Sequence, residues 1–168
     1  YSSILVGALS DEELNRTTYG GLKKHGMHPL SYKKIGFSEN LTRVDTFNGN
    51  LVVIPFKVAK IVGGIDSRYS HGLGDIDYGI RANLLGIKCF QIPGISGICA
   101  INSDSEYLNL TDFQYFISQK GGGNLKSLLI FLEKFSSKTK IFWILAIYVK
   151  WVYKKFFSKI QTNPKINF

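Results

Sequence analysis

The stretch Asp66-Ser-Arg-Tyr-Ser-His-Gly-Leu-Gly-Asp-Ile-Asp-Tyr-Gly-Ile-Arg81 gathers the densest polar chemistry in the chain. Asp75 and Asp77 stand beside Gly72, Gly74 and Gly79, where the missing Cβ lets a ligand approach the backbone. Asp75-Ile76-Asp77 has the form of the D-x-D pattern that binds a divalent metal and a diphosphate. If a helix begins here, positions i and i+2 point about 200° apart, at about 100° of turn per residue, and do not converge on one ion. Asp77 and Arg81 are i and i+4, so an ion pair between them would brace the helix. Asp75 falls just before the helix or at its start. There its carboxylate either caps the helix or faces a cleft, where it would act as a general base by accepting a hydroxyl proton. His71, four residues earlier, has the chemistry of a metal ligand or proton carrier, although a loop histidine more often only hydrogen-bonds locally.

Other catalytic signatures are missing from the sequence. No Cys/His cluster has zinc spacing, and His25 and His28 lack cysteine or acidic company. There is no G-x-S-x-G, Walker or G-x-G-x-x-G motif. The two cysteines, Cys89 and Cys99, are too few for a disulfide framework and suit a reduced, cytosolic compartment. The sequons at Asn15, Asn40 and Asn109 carry no weight without a secretory signal.

The elements that must position these residues follow from apolar patterning. Ile4 to Leu9 reads as a short buried strand, Thr18 to Gly21 as a turn or close approach, and residues 22–43 as irregular. Asn48-Gly49 reads as a tight turn feeding a strand over Leu51 to Ile54. Pro55 suits the first turn of a helix over Phe56 to Val62, which Gly63-Gly64 ends. A helix over Asp77 to Leu85 stops at Gly86, and Ile87 to Ile92 is a strand closed by Pro93-Gly94. This order makes the fold class α/β, with a mostly buried sheet. Residues 102–119 are polar with interspersed aromatics, among them Tyr107 and Phe116. Gly121 to Gly123 reads as a linker, followed by helices over Leu125 to Phe135 and Lys140 to Lys159.

Charge divides the chain unevenly. The 168 residues carry a net charge of +9, yet residues 1–119 hold 11 basic and 11 acidic side chains. Residues 120–168 hold ten lysines and one acid, Glu133. A uniformly basic nucleic-acid-coating domain is therefore excluded, and no nucleic-acid partner is expected. The expected organisation is a neutral body, 1–119, and a basic helical extension, 120–168. At 45% hydrophobic and 20% charged residues, the composition is that of a globular chain.

Thr18-Tyr-Gly-Gly21, His28-Pro-Leu30, Asp45-Thr-Phe-Asn-Gly-Asn50 with Val53-Ile-Pro55, and Ile61-Val-Gly-Gly-Ile-Asp66 followed by Gly74-Asp-Ile-Asp-Tyr-Gly-Ile-Arg-Ala82 resemble family 2 glycosyltransferases in order and spacing. The likeness continues through Pro93-Gly94 and Gly97-Ile-Cys99. It implies a GT-A fold, a Rossmann-like α/β sandwich, incomplete at its N-terminus, with residues 1–119 as the acceptor-side part. It implies transfer of a hexose-like sugar, usually with inversion, from a nucleotide diphosphate sugar to a hydroxyl of a glycan or lipid-linked acceptor. Surface polysaccharide or glycolipid synthesis is the expected setting. Asp75 stands at the catalytic base, with Gly74 where the family often has Glu. Asp77 and Arg81 brace the helix, and Asn48, Gly49, Asn50, His71 and Gly74 border donor and acceptor. A divalent metal, Mg or Mn, is implied for the complete domain, its D-x-D expected before residue 1. The alternative is a non-catalytic fragment or membrane-binding module that lacks donor binding.

In the segment Lys140 to Lys159, Trp143, Ile147 and Trp151 align at i, i+4 and i+8, as do Lys150 and Lys154 one turn apart. Tryptophan, tyrosine and lysine around an apolar block suit a helix lying in an anionic membrane surface. The same pattern suits a helix packed on the body with its lysines solvated. No apolar run reaches the roughly 18 residues of a membrane span, so a peripheral location on the cytoplasmic face is expected.

Overall fold

A computed structural model describes residues 3–100 and 111–161, with side chains described as far as Phe156. Tyr107 and the Asn109 sequon lie outside the described residues. The architecture is mixed α/β.

Strand β1 (Ile4–Val6) pairs in parallel with Cys89–Gln91 and antiparallel with Val52–Val53; Thr42–Val44 completes this sheet on the far side of Cys89–Gln91. β1 stops before Gly7, where a Cβ would come within 2.5 Å of Leu51. The chain then enters β2 (Leu9–Ser10), which pairs with β3 (Thr17–Tyr19) and Gly97–Ile98 in a second sheet. A third sheet joins β4 (Gly21–Lys24), β5 (Tyr32–Lys34) and Thr46–Phe47. In chain order the remaining strands are β6 (Thr42–Val44), β7 (Thr46–Phe47), β8 (Val52–Val53), β9 (Cys89–Gln91) and β10 (Gly97–Ile98).

Gln91 ties two of these sheets together. Its buried Oε1 accepts the Gly21 N–H at 2.9 Å, and its Nε2 donates to the Gly36 carbonyl at 2.8 Å. A buried amide with both ends satisfied avoids the cost of orphaned polar groups.

Helix α1 (Phe56–Val62) starts after Pro55 and stops at Gly63, whose φ of 82° favours glycine. Helix α2 (Gly74–Leu84) begins three residues before the expected Asp77. Leu73 reverses the chain there with a left-handed φ of 60°. That conformation costs a non-glycine residue roughly 1–2 kcal/mol, and the packing of its side chain into the second apolar core offsets it. The first core forms where α1 and α2 cover β1, β6, β7 and β9, around Val6, Val44, Val58, Tyr78 and Ala82. Gly79 lets α2 lie directly on β7, since a Cβ would come within 2.4 Å of Thr46 Oγ1. This glycine serves helix–strand contact, not ligand approach.

Residues 22–43 are not irregular: they hold β4, β5 and β6. These strands escape an apolar reading because they are short and rich in lysine and threonine, and backbone pairing defines them. A short helix, α3 (Asp112–Ile117), also departs from the expected polar segment, and a Thr111–Gln114 capping box opens it.

Helix α4 (Leu125–Ser136) leads through a 3-10 turn, Ser137–Thr139, into α5 (Lys140–Gln161). The second core lies between these helices and α2, with Leu128, Phe131, Leu132 and Ile144 against Leu73, Ile76 and Ile80. Gly121 and Gly123 form a packed corner in place of the expected linker. A Cβ on Gly123 would come within 2.3 Å of the Phe116 ring, and Tyr148 Oη donates to the Gly123 carbonyl at 2.7 Å. Trp143, Ile147 and Trp151 turn inward: Trp143 meets the His28 ring at 4.9 Å, and Trp151 stacks on Phe116 at 5.0 Å. The outward row is a different one. Ile141, Leu145, Val149, Val152 and Phe156 are each 58–66% exposed. No helix among the described residues is long and apolar enough to cross a membrane.

Candidate functional site

Docking of α2 on β7 brings the Asn48-Gly49-Asn50 turn against the start of the helix. Thr46 Oγ1 donates to the Ile76 carbonyl at 2.8 Å, fixing the first turn of α2 to the strand that leads into Asn48. Asp75, the second residue of α2, then reaches the turn. Its Oδ2 accepts the Gly49 N–H at 2.8 Å, and its Oδ1 accepts the Ile76 N–H at 2.8 Å. A Cβ on Gly49 would lie 3.2 Å from Asp75 Cβ, so glycine here permits the close approach.

Of the two readings of Asp75, the structure shows a contact at the helix start, made beside a contact with the turn. One oxygen satisfies an orphan N–H of the first helical turn, though the Ncap residue itself is Leu73, which makes no side-chain cap. The other oxygen holds the turn. A carboxylate has about four lone-pair directions, so half-buried Asp75 keeps capacity to accept a further hydrogen bond.

Asp77 points the other way. It is fully buried, and its Oδ2 accepts Arg81 Nε at 2.7 Å. Arg81 also donates to the Val62 carbonyl at 2.6 Å and the Gly64 carbonyl at 2.9 Å, tying the end of α1 to α2. Asp77 Oδ1 accepts Lys134 Nζ at 2.6 Å and the Tyr69 hydroxyl at 3.3 Å. Lys134 bridges on to Asp66 at 2.8 Å, and Arg68 grips Asp66 through Nε and Nη2. The Arg68 guanidinium, then Lys134, hold the Asp66 carboxyl well below the usual carboxylate range. Burial, then the charge of Asp77, pushes the Tyr69 phenol above its ordinary value, so it stays a neutral donor.

Asp75, Gly49 and the neighbouring Asn48 and Asn50 are therefore brought together. Asn48 donates its N–H to the Gly20 carbonyl at 2.9 Å, and Asn50 Nδ2 meets Cys99 Sγ at 3.7 Å. Gly74 is buried against Ile65. His71 is exposed and lines a cavity with Leu73 and Ile76 that Asp75 does not line. Lys134, Tyr69 and Thr46 complete the support and escaped sequence reasoning. Lys134 lies 57 residues from Asp77, and no local spacing links the two. Both cysteines are free thiols, and burial pushes Cys89 up to about 11.

Among the described residues no group of three or more His, Cys, Asp or Glu is placed to hold a metal ion. Asp75 and Asp77 diverge, each with its own partners, so they do not form a metal-binding D-x-D. Among the described residues, those around Asp75 do not supply the donor set of the implied divalent metal.

Comparison with protein-family models, curated proteins and solved structures finds no match to this chain.

Proposed function

We propose that residues 1–119 form the acceptor-side part of a family 2 glycosyltransferase with a GT-A fold, followed by a basic helical extension over 120–168. The enzyme moves a sugar from a nucleotide diphosphate sugar to an acceptor hydroxyl, with inversion. The observation that carries the reading is the bond from the Gly49 N–H to Asp75 at the start of α2. It holds the carboxylate against a turn whose glycine admits the close approach of Asp75.

On this reading Asp75 takes the proton of the acceptor hydroxyl. The hydroxyl oxygen forms its bond to the anomeric carbon from the face opposite the leaving nucleotide diphosphate, and the bond to that diphosphate breaks. Asn48, Gly49 and Asn50 border the reacting groups, with Gly74 beside the base and His71 on the loop before it. Asp77 and Arg81 keep the helix in place without touching substrate.

The same proposal sets the protein on an anionic, cytoplasmic membrane face, as a peripheral protein. The outward apolar row of α5 supports it, because five exposed apolar side chains lie within one arc of the helix at about 100° of turn per residue. The alternative of a membrane-binding module without donor binding rests on this helix alone.

Replacing Asp75 with Asn in the full-length enzyme tests the base. Transfer should fall by about 10²-fold or more while binding of the nucleotide sugar survives. Undiminished transfer in that variant would remove Asp75 from the mechanism.

A further inference from the structure

A cavity of about 740 Å³ opens between the loop before α2, the Gly121–Gly123 corner, the start of α4 and the inner face of α5. Its size is that of a small-ligand site, which commonly spans about 300–1,000 Å³. It does not include the Asp75 carboxylate, which faces Gly49, and of the residues in the transfer reading only His71 is in its wall.

The chemistry of its walls is divided. One part is aliphatic, with Ile76, Leu128 and Ile147. Trp151 also lines it, but its ring is stacked on Phe116 at an interplanar angle of 22°. The cavity therefore offers aliphatic carbon to a guest more than an open aromatic face to a base or sugar ring. The other part is cationic. Lys150 and Lys154 line it from successive turns of α5, and no acidic side chain is among its lining residues. Neither lysine is paired with a carboxylate among the described residues.

Two further features point to an anion. The N-terminal turn of α4 opens on the cavity through Asn124 and Ser127, and a helix start favours negative charge. Ser127 is only 2% exposed, yet its Oγ has no hydrogen-bond partner among the described groups. Buried hydroxyls without partners are rare in folded proteins, and one in the wall of a cavity invites a ligand acceptor. His28, also in the wall, adds no charge. Its Nδ1 accepts the Leu30 N–H at 3.0 Å, and burial lowers its pKa.

We propose that this cavity binds an amphiphilic anion, a phosphate monoester on an aliphatic chain. Lys150, Lys154 and Ser127 hold the phosphate, and Ile76, Leu128 and Ile147 cover the chain. This site stands whether or not Asp75 is a catalytic base, and a failed transfer assay leaves it intact.

Calorimetric titration of the full-length protein tests it, with octyl phosphate below its micellar concentration, inorganic phosphate, and octyl glucoside as a neutral amphiphile. Octyl phosphate should bind saturably at one site, about tenfold or more tighter than either other probe. Lys150→Gln combined with Lys154→Gln should weaken it about tenfold or more, with circular dichroism unchanged. If that pair does not fold, Ser127→Ala is the second variant, and it should weaken binding several-fold. Leu145→Gln, on the outward face of α5, should leave the affinity unchanged. Equal binding of octyl glucoside would reduce the site to apolar adsorption, and equal binding of inorganic phosphate to a simple anion site. Failure of octyl phosphate to saturate, or an equal loss in Leu145→Gln, would also overturn the proposal.

Discussion

Lys134 on α4 donates to the fully buried carboxylate of Asp77 on α2 at 2.6 Å, across 57 residues of chain. A basic helix thereby becomes part of the frame behind Asp75. Lys134, Arg81 and the Tyr69 hydroxyl all converge on Asp77. The charge of this carboxylate is compensated on each side, as a buried charge requires.

Removing one of these partners should cost much more than removing a surface pair. Lys134→Met leaves Asp77 with Arg81 and Tyr69. Breaking a buried pair typically costs 3–5 kcal/mol, and about 3 kcal/mol is expected here because Lys134 keeps 22% exposure. Lys140→Met, which breaks an exposed pair with Glu133, should cost about 0–1 kcal/mol. Urea midpoints of the two variants measure the difference, and similar midpoints would refute the bracing role of Lys134.

Gly49 is a positioning residue for Asp75 on the transfer reading. Its added Cβ would sit 3.2 Å from Asp75 Cβ, close enough to force a shift of a few tenths of an ångström. Gly49→Ala should therefore lower kcat by about tenfold, as expected when a reacting group is slightly misplaced. The melting temperature should barely move, because the turn is exposed and its φ is not in the left-handed region. Unchanged kcat would show that this contact does not position the carboxylate.

Helices α1, α2, α4 and α5 and the Asp77–Arg81 pair were legible because they follow from patterning within one element, whereas α3 was hidden in a polar segment. The turn at Asn48-Gly49 was legible from its residue types. The strands β4, β5 and β6 were not, since Gly21-Leu-Lys-Lys24 and Tyr32-Lys-Lys34 have no alternating apolar face. Contacts between distant residues were hidden for the same reason: Gly49 lies 26 residues from Asp75. The row Trp143, Ile147, Trp151 was visible as a face, but sequence alone could not say which face of α5 turns inward. The aromatic partners Phe116 and His28 decide it.

Asp66 gives a pH signature. Arg68 and Lys134 depress its pKa in the fold, so its contribution to stability is fully present above the unfolded value of about 3.9. That contribution is lost as pH falls below this value and through the lower folded one. The stability gap between the wild-type chain and Asp66→Asn should be constant from neutral pH to about pH 5 and shrink on further acidification. Urea midpoints of both proteins across this range measure it. A gap that widens toward acid would contradict the ion-pair assignment.

The outward row of α5 gives the last prediction. Ile141, Leu145, Val149, Val152 and Phe156 lie within one arc of the helix, along about 22 Å at 1.5 Å per residue. Each lysine that reaches an anionic surface would add about 1 kcal/mol. Leu145→Gln with Val149→Gln removes apolar groups that are 58% and 66% exposed, so the fold should keep its melting temperature. Co-sedimentation with vesicles containing phosphatidylserine should nonetheless fall sharply, and wild-type binding should weaken as salt screens the lysines. Trp151→Ala should do the reverse, lowering the melting temperature by loss of its stack on Phe116 while vesicle binding of the folded fraction persists. Equal sedimentation of the wild type and the Leu145/Val149 variant would count against membrane contact through this face.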